Sequence, residues 1–328
     1  MTLEALSHHL ETFLALKQTR AKSNPHFNSD HRGRLRYEEG MLRGFVAYWQ
    51  QHGCPWPIRA EFALDWVMTG SSVGRPYRDE HRLTTVRSFL HQVRACDERT
   101  EIPQTRFRTR YRRRAPYLFS DQEVLQLMEA AARSRYALRA ATVATLIGLL
   151  ASTGIRIGEA LHLKMEDVRL DATPPHLFIH ESKFGKSRNV VLHRSTTAQL
   201  RLYLKKRDAA LRGRYAEPFF TNTLRRPLIY NPLRYTFRHL LKQVGIIPSV
   251  NQRRPTLHSF RHTFAVNRLA LWQREGQDIR QQLPHLSVYL GHCSPESTYW
   301  YLSATPELLQ GAGDLFDPQQ QAQRGGHR

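Results

Sequence analysis

Apolar side chains recur over the first hundred residues at the three-to-four spacing of helices that bury one side. Leu3, Leu6, Leu10, Phe13, Leu14 and Leu16 form a first apolar face, with Glu4 and Glu11 outside it. Met41, Leu42, Phe45, Val46 and Trp49 repeat the pattern until Gly53, Pro55 and Pro57 break it. Phe62, Leu64, Trp66 and Val67 predict a third helix ending near Gly70. Leu83, Val86, Leu90 and Val93 predict a fourth from about Asp79 to Asp97, whose other side carries Arg78, Arg82, Arg87, His91 and Arg94. Residues 1–103 are therefore expected to form a small helical bundle with a basic face.

A second domain is expected over 117–316. It opens on a helix start signal, Ser120 as N-cap with Glu123 three residues on, ahead of Val124, Leu125, Leu127 and Met128. An apolar run around Thr142 to Ser152 reads as a buried helix. Leu177 to His180 and Asn189 to His193 read as two strands joined by a turn containing Gly185. Helices are expected around 196–212, 231–244, 258–274 and 295–303, and residues 317–328 as a polar, frayed tail. The expected fold is mainly α with a small antiparallel β-sheet: a helical domain followed by a mixed α+β domain.

Composition narrows the partners. The 328 residues carry 49 Lys and Arg against 28 Asp and Glu, a formal net charge of +21, with 41% hydrophobic residues to build cores. So many cations call for a polyanion, with nucleic acid ahead of an anionic membrane surface. No run of about 18 apolar residues exists to span a bilayer, and the N-terminus lacks the basic-then-apolar pattern of a signal peptide. Cys54, Cys96 and Cys293 are scattered, which fits a reducing compartment; a bacterial cytoplasm, associated with the nucleoid, is the expected location. Between the domains, residues 104–116 hold Arg106, Arg108, Arg110, Arg112, Arg113 and Arg114, interleaved with Phe107 and Tyr111. The run reads as a linker that also lies against phosphates, where each arginine would release counterions.

Three short motifs carry chemistry. Thr153-Gly154-Ile155-Arg156 places an arginine at a helix start directly after the buried apolar helix, with Glu159 three residues on as its natural ion-pair partner. His258-Ser259-Phe260-Arg261-His262 puts His258 and Arg261 on one helical face. His258 and His262 have metal-ligand spacing, but the adjacent arginine would repel a cation. In Leu290-Gly291-His292-Cys293-Ser294-Pro295, Ser294 and Pro295 read as the cap and first residue of a helix that carries Tyr299 and Tyr301.

In this order and spacing, the motifs resemble the tyrosine recombinase (phage integrase) family over about residues 117–305. That family carries an Arg in a T-G-x-R-x-x-E turn, a Lys in a β-hairpin, an H-x-x-R pair, and L-G-H followed nine residues later by a nucleophilic Tyr. The resemblance implies Arg156, Lys183, His258, Arg261, His292 and Tyr301 as catalytic residues, with Tyr301 chosen over Tyr299 by spacing. Two departures stand out. The hairpin lysine lacks flanking glycines on both sides, so Lys186 competes with Lys183. The stretch from Arg261 to Leu290 is about two helical turns longer than the family norm.

The chemistry implied is strand cutting and rejoining through a 3′-phosphotyrosine, leading to a Holliday junction. Arg156 and Arg261 would clamp the non-bridging phosphate oxygens, and His258 would accept the Tyr301 proton. Lys183 would protonate the leaving 5′-oxygen, His292 would orient a phosphate oxygen, and Glu159 would buttress the site. No metal and no nucleotide cofactor is expected. Lys186 and Arg188 join the linker arginines as candidate DNA contacts. The expected partners are double-stranded DNA bearing a specific site and further copies of the chain, four on DNA, with Leu308, Leu309, Leu315 and Phe316 packing on a neighbour. Accessory recombinases or DNA-bending proteins are further candidates, and the biological setting expected is integration or transposition. Competing readings are a type IB topoisomerase, a non-catalytic DNA-binding regulator and a metal-dependent transposase, the last lacking an evident acidic triad.

Overall fold

A computed structural model describes residues 3–22, 29–70, 76–104, 115–182, 186–249, 252–292 and 296–303. The chain divides into two compact units, Met1–Arg112 and Arg113–Arg328. The linker arginines 106–114, Lys183, Cys293, the Ser294-Pro295 cap, Leu308, Leu309, Leu315, Phe316 and the polar tail lie outside the described residues.

The first unit contains α1 (Leu3–Lys22), α2 (Ser29–Gln51), α3 (Ala60–Thr69) and α4 (Pro76–Cys96). Their apolar faces meet in one core that includes Leu6, Leu10, Phe13, Leu42, Phe45, Trp49, Trp66, Val86 and Leu90. Leu16, expected on that face, is half exposed; a stripe of residues 6, 10, 13 and 14 already fills the arc of α1 that meets its neighbours. The basic face of α4 is also less free than its spacing predicts. Arg82 lies over the Trp66 ring at 3.9 Å and donates to the Trp66 carbonyl at 2.6 Å. Arg87 donates to the Pro103 carbonyl at 2.8 Å. Both guanidinium groups are used inside the bundle.

The second unit starts with the chain at Phe119 stacked on Phe260, ring centroids 4.4 Å apart, with its N–H donating to Thr263 at 2.9 Å. Ser120 and Glu123 form a reciprocal capping box at the start of α5 (Asp121–Ala132). The apolar α6 (Ala137–Thr153) packs against α5, α8 (Arg194–Leu211) and α10 (Ser259–Arg274). Its Leu146, Ile147, Leu149 and Leu150 are buried. The short α7 (Ile157–His162) follows the turn at Gly154.

The sheet is antiparallel in the order β1 (Val168–Arg169), β2 (His176–Ser182), β3 (Lys186–Val191), with Ile179 opposite Arg188. The sequence predicts the two longer strands; β1, two residues long, carries no pattern to read. After α8 come α9 (Tyr230–Val244), α10, α11 (Ile279–Leu290) and α12 (Glu296–Tyr299), which tightens into a 3₁₀ turn at Trp300–Ser303.

Helix α11 is the element that sequence reading missed. It occupies the stretch that is long for the family. Asp278 caps it by accepting from the Arg280 N–H at 2.8 Å, and Pro284 sits inside it. Tyr301, expected two turns into an α-helix, stands instead in the 3₁₀ turn. It belongs to a second small core with Ala265, Leu269, Leu283, Leu286 and Leu290. Among the described residues no helix is long and apolar enough to cross a membrane.

Candidate active site

Two glycine turns build the site. Gly154 ends α6 in the left-handed conformation at φ +63°, and a Cβ there would lie 2.6 Å from the Phe264 ring. Glycine is thus required both for the backbone and for the close approach. The turn sets Arg156 at the N-cap of α7. Glu159 accepts from the Arg156 backbone N–H at 2.9 Å and from its Nη1 at 2.7 Å, so the ion pair predicted by spacing is present. Gly291 ends α11 in the same way at φ +69° and delivers His292.

Arg261, in the first turn of α10, is 2% exposed. It donates from Nη1 to the Gly154 carbonyl at 3.0 Å and from Nη2 to the Leu290 carbonyl at 2.7 Å. Arg156 Nη2 donates to the next carbonyl, Gly291, at 2.6 Å. The two guanidinium groups therefore meet at adjacent peptide units of a helix C-terminus, where carbonyls and the helix dipole favour cations. Burial, then the neighbouring Arg156, lowers the Arg261 pKa to about 10, so it stays charged at neutral pH.

Tyr301 is 3% exposed and lies near the positive charge of Arg261. Its ring lies nearly parallel to His292 at 6.0 Å and beside His262 at 5.6 Å. Burial raises its pKa above the usual phenol value, although Arg261 and Arg156 pull it down. Desolvation outweighs the arginines, so the free protein holds Tyr301 protonated. Tyr299 points the other way and is 54% exposed.

Two histidines flank the phenol ring, His262 and His292, and a third, His258, packs against His262. His292 Nδ1 lies 2.8 Å from the buried Thr298 hydroxyl, and burial with Arg261 and Arg156 holds its pKa near about 3. His258, at the N-cap of α10, is also pushed down by desolvation, Arg261 and Arg156. It nonetheless keeps a well exposed edge, so solvent limits that shift. His262 packs edge-on to His258 at 4.8 Å. Among the described residues its buried Nδ1 has no hydrogen-bond partner, and its pKa is lowered to about 3 by burial and the nearby His258 and Arg261. The sequence marked His262 only as metal spacing; its position beside Arg261 and one turn after His258 was the available signal.

Lys183 lies outside the described residues, and Lys186 is placed only as the first residue of β3. Arg188, named from the sequence as a candidate DNA contact, turns its side chain inward. Its side chain is 9% exposed and donates to both Glu159 oxygens, at 3.1 and 2.8 Å. Among the described residues no three His, Cys, Asp or Glu side chains gather as a metal ligand set. Arg156 and Arg188 share the Glu159 carboxylate and Arg261 lies beside them on backbone carbonyls, a local excess of positive charge suited to a phosphate.

A helical domain carrying a three-stranded antiparallel sheet, with two arginines converging beside a buried tyrosine, defines a DNA strand-exchange enzyme of the tyrosine recombinase class. Residues 118–307 match the phage integrase family. The putative integrase/recombinase y4rB of Sinorhizobium fredii is 39% identical over 286 residues, spanning 85% of this chain and 90% of that protein. Tyrosine recombinase XerD of Staphylococcus haemolyticus is 26% identical, spanning 72% and 75%. Two solved structures share the fold. XerH bound to difH in a post-cleavage complex has a TM-score of 0.67 at 19% identity, over 86% of this chain and 79% of that one. A lambda integrase tetramer bound to a Holliday junction has a TM-score of 0.62 at 17% identity, over 91% and 77%. The chain belongs to the phage integrase family and is a site-specific recombinase that breaks and rejoins DNA.

Proposed function

We propose that the Tyr301 oxygen attacks a DNA phosphorus held between Arg156 and Arg261. The single observation that carries this reading is the meeting of the two guanidinium groups at the adjacent carbonyls of Leu290 and Gly291, with the buried Tyr301 phenol within reach of their charge. In the reaction a bond forms from the phenol oxygen to phosphorus and the bond from phosphorus to the 5′-oxygen breaks. Charge grows on the two non-bridging oxygens, and bidentate guanidinium groups stabilise it without proton exchange. The phenol, with a reference pKa of about 10, loses its proton during attack to His258, which is neutral and has a solvent-facing edge. Lys183 supplies the proton taken up by the 5′-oxygen, and His292 orients a phosphate oxygen. Proton transfers of this kind contribute roughly 10²–10⁴-fold each. The covalent 3′-phosphotyrosine keeps the bond energy, so the reverse step rejoins DNA without ATP.

On the same reading residues 1–103 form the core-binding domain, 104–116 a basic linker and 117–316 the catalytic domain. The substrate is duplex DNA with a specific site, exchanged by four copies of the chain, in the bacterial nucleoid. Accessory recombinases or DNA-bending proteins complete the assembly. A nicked suicide substrate tests the chemistry: wild type traps an adduct that resists SDS, Tyr301→Phe traps none, and Tyr299→Phe traps it as wild type does. An adduct that survives Tyr301→Phe and disappears in Tyr299→Phe would reverse the assignment.

A further inference from the structure

Three consecutive carbonyls at the end of α11 are each taken by a different arginine. Tyr289 accepts from Arg188 Nε at 2.8 Å, Leu290 from Arg261 Nη2 at 2.7 Å, and Gly291 from Arg156 Nη2 at 2.6 Å. The last carbonyls of a helix lack partners within it and sit at the negative end of its dipole, so they hold cations in fixed order. Two of these arginines form the proposed phosphate clamp. The third comes from β3, the strand that begins three residues after Lys183.

Arg188 is also joined to Arg156 through Glu159. Oε1 of Glu159 accepts from Arg156 Nη1 at 2.7 Å and from Arg188 Nη1 at 3.1 Å. Oε2 accepts from the Arg156 backbone N–H at 2.9 Å and from Arg188 Nη2 at 2.8 Å. With both oxygens shared, the carboxylate cannot swing toward either arginine without breaking bonds to the other. Arg188 also lies tight against the glycine turn, where a Cβ at Gly291 would come within 2.7 Å of its Nη1.

We propose that Arg188 is a positioning residue for strand cleavage. It fixes Arg156 through Glu159 and ties the hairpin strand to the turn that carries His292, while making no contact with DNA itself. This rests on the assignment of Arg156 to the clamp. Removing Arg188 frees Glu159 to follow Arg156 and frees β3 from α11, so the clamp and the hairpin lysine lose their common frame.

The test measures two quantities on the full chain: affinity for site-bearing duplex across a salt series, and the single-turnover rate of adduct formation on the nicked substrate at saturating protein. The variants are Arg188→Lys, Arg188→Gln, Glu159→Gln and the double variant Arg188→Gln/Glu159→Gln. Lysine keeps the charge but cannot bridge two carboxylate oxygens and a carbonyl at once. The expected result is affinity and salt slope within twofold of wild type, with adduct formation slowed about a hundredfold, the scale of a clamp misplaced by an ångström. The double variant should lose no more than the worse single one, because both act through one path. Adduct formation within twofold of wild type in Arg188→Lys overturns the proposal, and this variant carries the test if Arg188→Gln does not fold. So does a loss confined to affinity with a salt slope lower by about one, which marks a phosphate contact. Tyr301→Phe runs alongside: an adduct that survives it overturns the nucleophile assignment, while the comparison of Arg188 variants with wild type still decides the role of Arg188.

Discussion

Gly291 meets two demands that no other residue satisfies together. Its φ of +69° disfavours any Cβ, and that Cβ would strike the Arg188 guanidinium. Gly291→Ala should therefore cost more than about 1 kcal/mol of stability, read as a shifted denaturant midpoint. It should also slow cleavage more than it weakens DNA binding, because Arg188 must leave Glu159 to make room. The histidines make a second prediction. Burial and neighbouring arginines hold His262 and His292 near pKa 3 in the folded chain, against about 6.5 when unfolded. The unfolded state then binds more protons below that value, so stability falls as pH drops from about 6.5 toward 3 and is fully present above 6.5. Glu159 and Glu38, with carboxyls held below their usual range, add to the loss only at lower pH. Denaturant midpoints at pH 7, 6 and 5 separate the two contributions. His262→Phe should flatten the slope between pH 6.5 and 5, and an unchanged slope there would contradict the burial of that ring.

Element by element, the pattern of apolar positions was enough where helices bury a single stripe. The four helices of the first unit, the capping box on α5 and the apolar α6 all follow from local spacing. Leu146 lies fully buried at the middle of α6, so Leu146→Ala should cost roughly 2–5 kcal/mol, measured by chemical denaturation. A cost below about 1 kcal/mol would mean α6 is not the spine of that unit. What the pattern concealed has physical causes. Pro284 inside α11 reads as a breaker, yet the Asp278 cap and the burial of Leu283, Leu286 and Leu290 outweigh it. The candidate site residues could be named because their order and spacing resemble a family motif, whereas the place of Arg188 depends on register. It faces the core with Val190, two residues on, and stands opposite Ile179. Strand alternation therefore points it inward, and only Glu159 and the end of α11, far off in sequence, make that position tolerable for a cation.

At the scale of the whole chain, the net charge of +21 is what selects DNA, and its distribution decides how binding responds to salt. The structure withdraws several cations from that task. Arg82 and Arg87 are committed inside the first unit, and Arg188 inside the second. The remaining contacts must come from exposed basic residues, and the densest group in the sequence is the run of six arginines between Arg106 and Arg114. If these lie on phosphates, each adds about 0.9 to the slope of log affinity against log salt. Replacing all six with glutamine should then lower the slope by up to about five while leaving the cleavage rate at saturating protein near that of wild type. Fluorescence anisotropy on site-bearing duplex between 50 and 200 mM salt, roughly the range over which counterion release dominates, reads this directly. A slope that moves by less than about one would assign the run to spanning the two units, and the electrostatic footprint on DNA would then belong to the folded domains alone.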